Sequence, residues 1–583
     1  MRLSRKRGVK GVISRTVDRV DLSFYCLAFL LAVIAGVWLY RPALHGPFVF
    51  DDRTLPFASP AASGMPLAAW LGVRPVLMFT YWLNYSLSSE STFLYHFVNV
   101  VLHVINSAIV FAVLRLLVKT IPSAMGSENW LAGFGALLFL THPIQTESVA
   151  YIAGRSEVLS GTFFLTALLL YLLWSSAPLS WLQAAGIAAL FGLAVATKEH
   201  TAVLPIALVL ADCTVRQLGL RTALRRNHRL VLFFSAICTV AGVATIKLIE
   251  TAPSVGRSLD IAPHQYFYTQ CRAILTYLRL FIAPFGQNID HDFPISRTLT
   301  EYGAWAALLT VILIFGGVFF LRKRFPVLSF GMLFFFLLLA PTSSVVPIAD
   351  PLVEHRMYLP SLGLIICLVG LMALNWKHRS VLIYGMAGVL LFASALSWKR
   401  NHLWGDPVQL WTDAVKKSPR KVRPYPHLIY SYVLSNRCGE AVNVLERAGE
   451  AVPKNESILI DWAEACGCAG KREEALQKLR EALRINPSAE VHSIMSVVLA
   501  QSGKRDEALQ HAEAAISEEP PGSELAHFYR GQWFAIAQQL DLAEAEYSLA
   551  LALNPYNSQT RSAMFNLKRA IIAAHQRDYL KGP

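Results

Sequence analysis

Up to about residue 398 of the 583, apolar residues run in long blocks broken by short polar loops. Blocks of spanning length lie near 22–41, 93–119, 129–147, 157–175, 180–197, 200–214, 229–249, 301–321, 326–342, 356–375 and 379–398. About 20 apolar residues cross the ~30 Å hydrocarbon core of a bilayer, so this pattern predicts eleven membrane helices, the sixth of them short. The stretch 263–285 is also apolar but carries Gln270, Arg272 and Arg279. It reads as an amphipathic helix on the outer surface.

Beyond residue 398 the pattern becomes that of ordinary soluble helix, and it repeats. Pro453, Pro487, Pro520 and Pro555 are spaced by 34, 33 and 35 residues. Twelve residues before each stands Ala441, Ala475, Ala508 or Ala543, and five before each Ala448, Ala482, Ala515 or Ala550. Small residues let paired helices approach and the proline ends the second helix, which is the tetratricopeptide-repeat (TPR) period and pattern. Pro419 lies another 34 residues upstream, so 407–418 reads as a half repeat. Such arrays stack into curved surfaces that bind peptides or proteins; a purely structural cap is the alternative.

Composition supports the division. The chain is 54% hydrophobic and 16% charged, against about 25% charged in soluble domains. The net charge of +14 does not point to nucleic acid, because no basic stripe is interleaved with aromatics in the soluble part. The basic residues instead cluster in short loops. The N-terminal tail, the loop with Arg216, Arg221, Arg225, Arg226 and Arg229, Arg322-Lys323-Arg324 and Lys377-His378-Arg379 all fall on one side if the tail is cytoplasmic. An odd number of spans then places the C-terminus outside. The first apolar block lacks a small-residue cleavage site and reads as an uncleaved span. Of the eight cysteines, Cys438, Cys466 and Cys468 fall in the repeats. They read as buried free thiols, with a disulfide as the alternative in an oxidising compartment.

In this topology the ionisable motifs gather on the outer face. They are Phe50-Asp51-Asp52, Arg74, His142 to Glu147, Gly154-Arg155-Ser156-Glu157, Lys198-Glu199-His200, Asp290-His291-Asp292 and Glu354-His355-Arg356. Singly, each has a bland reading as a cap, anchor or ion pair, and His96 and His103 read as satisfied core histidines. Together they suggest one outer site facing a lipid-borne substrate. A transporter should instead place ionisable groups at the midplane.

The order of these motifs, with Tyr95-His96-Phe97-Val98-Asn99, His103, Asn106 and Glu354-His355-Arg356-Met357-Tyr358-Leu359-Pro360, resembles the transmembrane and tetratricopeptide repeat-containing (TMTC) O-mannosyltransferases and their bacterial relatives. The resemblance covers about 45–365 and is extended by the repeats. It implies an all-α, polytopic membrane domain of GT-C type followed by a TPR α-solenoid. The domains implied are a cytoplasmic basic tail at 1–21, a catalytic membrane domain at 22–398 with outer loops 42–92, 142–156, 250–300 and 342–355, and an extracytoplasmic TPR domain at 399–583.

The activity implied is transfer of a hexose such as mannose from a polyprenyl-phosphate donor to a protein Ser/Thr hydroxyl, with inversion. The base then maps onto Asp51, with Asp52 beside it. Arg155, Lys198, Arg356 and Arg74 would hold the donor phosphate. His142, Glu147, Glu199, Asp290, His291, Asp292 and Glu354 would position sugar or acceptor. No cofactor is implied with certainty; a divalent cation is the one candidate, with Asp52, His142 and Glu147 as weak ligands for it. The partners implied are the lipid-linked sugar, an acceptor protein met by the repeats, and membrane lipids, but no nucleic acid. The location implied is a bacterial inner membrane with periplasmic repeats, or the ER with lumenal ones. A non-catalytic TPR scaffold and a transporter with a TPR adaptor are the competing readings.

Overall fold

A computed structural model describes residues 22–58, 62–89, 91–251, 261–448, 455–554 and 557–581. The expected basic tail 1–21, residues 252–260 of an outer loop, and the repeat prolines Pro453 and Pro555 lie outside the described residues. The regular structure among the described residues is helical throughout. The chain divides into two compact units, Met1–Phe48 with Pro66–Asp406, and Val49–Met65 with Pro407–Pro583.

The first unit contains α1 (Leu22–Tyr40), α2 (Pro75–Ser88), α3 (Thr92–Val118), α4 (Glu128–Thr141), α5 (Arg155–Trp174), α6 (Trp181–Val195) and α7 (Leu204–Thr214). It continues with α8 (His228–Thr251), α9 (Pro263–Ile282), α10 (Ala304–Leu321), α11 (Pro326–Leu339), α12 (Pro360–Leu374) and α13 (Arg379–Gly405). A helix stands on each of the eleven apolar blocks, but the structure does not bear out eleven spans. Among the described residues, four helices are long and apolar enough to cross a membrane, and five more are apolar but shorter. The reason is length: α4, α11 and α12 have 14, 14 and 15 residues, short of the ~20 that hydrocarbon demands.

The helix α9 does form over the stretch read as amphipathic. Its inner face packs on protein: Ala273, Ile274, Tyr277 and Leu280 join Ile144, Phe335, Leu339, Leu352 and Met357 in a buried cluster. Along the same face, Tyr266 donates to the Thr342 carbonyl at 2.7 Å and Gln270 to that of Pro351 at 2.9 Å. The Tyr277 hydroxyl meets both the N–H and the C=O of Val353, at 3.1 and 3.0 Å. The spacing 266, 270, 277 is that of one helix stripe, and it fixes the course of the loop from α11 to α12. Those two helices touch backbone to backbone. A Cβ added at Gly331 would stand 2.6 Å from the Gly363 carbonyl oxygen.

The second unit opens with α14 (Pro407–Lys417), followed by the helix pairs α15 (Pro424–Leu434) with α16 (Cys438–Ala448), α17 (Glu456–Cys468) with α18 (Arg472–Ile485), α19 (Ala489–Gln501) with α20 (Arg505–Ser517), and α21 (Glu524–Ile536) with α22 (Leu540–Leu553). Helix α23 (Ser558–Lys581) closes it. Ala441, Ala475, Ala508 and Ala543 are fully buried, as the close pairing of helices requires. Each pair turns on a residue with left-handed backbone, Asn436, Gly470, Gly503 and Gln538, at φ of 55°, 77°, 79° and 63°. The cysteine reading is corrected in part: Cys438 at the start of α16 is bonded to Cys468 at the end of α17, while Cys466 is a buried free thiol. The helices bring the two Cα atoms within 5.6 Å, inside the range a disulfide accepts.

Candidate active site

In the first unit, the loops after α4 and α6 meet the loop before α12. Glu147 lies in the short helical turn Thr146–Ala150, and its side chain is 3% exposed. Its Oε1 stands 2.6 Å from His355 Nδ1. Its Oε2 is buried and makes no hydrogen bond among the described residues. The Ser148 hydroxyl donates to the His355 carbonyl at 3.3 Å, so backbone and ring are both held. Next in sequence, Arg356 lies beside the Tyr266 and Tyr277 hydroxyls, and its Nη1 is buried without a hydrogen bond among the described residues.

A second cluster adjoins it. Lys198 Nζ donates to Glu157 Oε1 at 2.7 Å and to Ser156 Oγ at 3.0 Å. His200 Nε2 stands 3.5 Å from the other oxygen of Glu157. The charges of Lys198, His200 and His355 all act on Glu157, which places the two clusters side by side. Further out, Arg74 forks onto Glu199 with two bonds of 2.9 Å. Burial opposes the charge on Glu199, but the Arg74 guanidinium wins and holds the carboxyl below its usual range.

Several expected site residues are spent on structure. His142 donates from Nε2 to the Phe281 carbonyl at 2.9 Å and accepts the Ile144 N–H on Nδ1 at 3.1 Å. Both ring nitrogens are engaged, which leaves no lone pair for a cation. Arg155 is fully buried. Its donors go to Asn99 Oδ1 at 2.8 Å, the Tyr95 carbonyl at 2.9 Å and the Thr80 carbonyl at 3.3 Å, and the guanidinium stacks on Tyr81. It ties α2, α3 and α5 together and has no face open to a phosphate. Glu354 accepts from the Asn288 N–H at 2.6 Å, from Gln287 at 2.8 Å and from His291 at 2.8 Å. Burial opposes its charge, but the His291 hydrogen bond and charge hold the carboxyl low. It pins the 287–291 loop. Asp290 in that loop is buried and Asp292 exposed. Among the described residues, no group of three or more His, Cys, Asp or Glu is disposed to hold a metal ion. His103 donates to the Leu140 carbonyl and accepts from the Tyr358 hydroxyl at 2.9 Å, and His96 reaches the Gly46 carbonyl at 3.1 Å. Both are core histidines.

Asp51 and Asp52 belong to the second unit. Phe50 enters their turn with left-handed backbone, φ 53°, and packs on Trp411 and His427. Arg53 lies 4.1 Å over the Tyr430 ring. Asp52 is buried and accepts the Val49 N–H at 3.1 Å, whereas Asp51 is exposed. The candidate set drawn from sequence omitted Glu157, His200 and His355. All three stand within outer motifs, but their partners are 41 to 208 residues away in the chain.

No family model matches the chain. A protein O-mannosyl-transferase of Caenorhabditis elegans is 22% identical over 431 residues, covering 68% of this chain and 59% of that protein. The mouse protein O-mannosyl-transferase TMTC3 is 33% identical over 168 residues, covering 26% of this chain and 17% of that protein. The chain thus resembles TMTC O-mannosyltransferases, and the matches span 59% and 17% of these two relatives. Among solved structures, the TPR protein YrrB aligns at 20% identity with a TM-score of 0.21, covering 31% of this chain and 88% of that one. A score that low has no bearing on the fold.

Proposed function

We propose that the chain is a membrane glycosyltransferase that moves a hexose, mannose by the names of its relatives, from a polyprenyl-phosphate donor to a protein Ser or Thr hydroxyl. The observation that carries this reading is the adjacency of the Lys198–Glu157 and Glu147–His355 pairs in an apolar helical unit, with Arg356 next in sequence to His355. Cations and hydrogen-bond donors at such a place suit an anionic lipid headgroup, and arginine suits phosphate. Transfer from a phosphate needs positive charge as the leaving oxygen gains its own. Arg356, whose Nη1 makes no hydrogen bond among the described residues, is the foremost phosphate ligand, and Lys198 the second. Arg155 drops out because its guanidinium is enclosed.

In this reading Asp51 is the base for the acceptor hydroxyl and Asp52 holds its turn. A single displacement inverts the anomeric centre. The repeats recruit the acceptor on the outer side of the membrane, periplasmic in a bacterium. The Cys438–Cys468 disulfide supports that side, since such bonds persist in oxidising compartments. The test offers purified protein in nanodiscs a panel of polyprenyl-phosphate hexoses and an unfolded Ser/Thr-rich acceptor. Transfer is expected from one donor, and Asp51→Asn is expected to lose it at unchanged expression. If the wild type neither consumes nor binds any donor, the reading falls and a scaffold built on the repeats takes its place.

A further inference from the structure

The pairing of Glu147 with His355 is a feature that phosphate binding alone does not need. A buried carboxylate holds one nitrogen of an imidazole at 2.6 Å. An ionised carboxylate can only accept, so Nδ1 carries a proton and the ring is fixed about that bond. Nε2 makes no hydrogen bond among the described residues, and the side chain is 25% exposed. The ring therefore presents one nitrogen outward from a rigid mount. That mount comprises Glu147, the Ser148 bond to the His355 carbonyl, the Tyr277 clamp on Val353, and Glu354 with its three donors. Beside it stands Arg356, whose buried Nη1 makes no hydrogen bond among the described residues. Two adjacent residues of one turn thus carry nitrogens that no described residue engages.

We infer that His355, oriented by Glu147, is the catalytic donor to the departing phosphate oxygen in the glycosyl transfer proposed above, on which the inference rests. The acceptor oxygen forms its bond to C1 of the sugar, and the hydroxyl proton passes to the base. The C1–O bond to phosphate breaks and its electron pair leaves with the phosphate. His355 enters the step as the imidazolium, with one proton on Nδ1 toward Glu147 and one on Nε2; the departing oxygen takes the Nε2 proton, and the neutral ring left behind regains one from water. Glu147 acts through His355 and is a positioning residue. The charged and titratable groups around the ring are Glu147 on its short turn, Glu157 on α5, and Glu354 and Arg356 on its own turn. Lys198 and His200 face it across Glu157.

The test compares wild type, His355→Gln, His355→Ala and Glu147→Gln in nanodiscs, with folding checked by thermal midpoint. His355→Ala is expected to lower kcat by about 10²–10⁴-fold while the KM for the lipid donor changes only a few-fold. His355→Gln, which keeps an N–H, is expected to recover part of the loss. A donor with a less basic leaving group, such as a polyprenyl diphosphate, should be less affected. Loss of donor binding together with activity would overturn the role. Footprinting with diethylpyrocarbonate is independent of turnover. Decaprenyl phosphate is expected to protect His355 from modification, and a ring left equally reactive with and without it sinks the inference. An enzyme that transfers nothing but shows this protection refutes the reaction and leaves His355 in an anion site. Without protection, both fail.

Discussion

Replacing Asp461 by Asn should stabilise the second unit near neutral pH, by an amount that grows with pH. Asp461 lies in the middle of α17, and its Oδ2 is buried with no hydrogen bond among the described residues. Burial pushes its carboxyl from 3.8 up to about 7, and the charges of Glu464 and Glu490 add to the rise. Below pH 4 the group is protonated in folded and unfolded chains alike. As pH rises from about 4 to about 7, the unfolded chain ionises first, so the folded state binds the extra proton and stability is lost. A displacement from 3.8 to about 7 corresponds to about 4 kcal/mol, at about 1.4 kcal/mol for each tenfold. Solvent relaxation around a partly exposed side chain cuts this to about 1–2 kcal/mol. Asn is nearly isosteric and cannot ionise. Hydrogen-exchange mass spectrometry of the full chain in detergent, read on peptides of α17 and α18 between pH 5 and 8, measures the difference. A variant-minus-wild-type opening free energy that stays flat across that range, or that turns negative, refutes the reasoning.

Two further outcomes follow from packing and cross-linking. A Cβ added at Gly363 would stand 2.4 Å from the Gly331 carbonyl oxygen and 2.8 Å from the Phe335 nitrogen. Gly363→Ala is therefore expected to cost about 1–3 kcal/mol, read as a lowered thermal midpoint; an unchanged midpoint would show that α11 and α12 do not touch this way. The Cys438–Cys468 link closes a separation of 30 residues, worth about 3–4 kcal/mol in the chain-entropy account. Cys438→Ser should lose the mobility difference between reduced and non-reduced gels and weaken exchange protection in α16 and α17; a wild-type protein without that difference would show the bond is not formed.

What could be read from the chain is what recurs locally. The repeat could be, because the alanines at 33- to 35-residue intervals are the helix contacts themselves. So could the apolar blocks, since each became a helix. Their number as spans could not, because a run of apolar letters includes loop residues that end a helix early, as Pro143 does after α4. The roles of site residues were hidden for a different reason. His142 and Arg155 look the same in sequence whether their nitrogens face a ligand or the carbonyls of Phe281 and Tyr95. Only the packing of distant segments decides between these. The Glu147–His355 pair joins residues 208 apart, beyond any motif spacing.

The contrast between Glu147 and Glu354 shows how the fold divides labour between two carboxylates of nearly equal burial. Glu354 has both oxygens occupied by three donors from one loop. Its charge is compensated, and little of it is left to act on a substrate. Glu147 has one oxygen on His355 and the other with none among the described residues. A buried acceptor left half-used costs about 1–3 kcal/mol relative to a satisfied one, and α9 and its loop supply ample donors elsewhere on the same cluster. A second donor at Oε2 would not displace His355 from Oε1, as Glu354 shows by holding His291 beside two other donors, but it would draw charge from the carboxylate. The incomplete pairing therefore leaves more of the Glu147 charge to act on the imidazole. Glu354, saturated one residue away, supplies the rigidity that such a coupling needs.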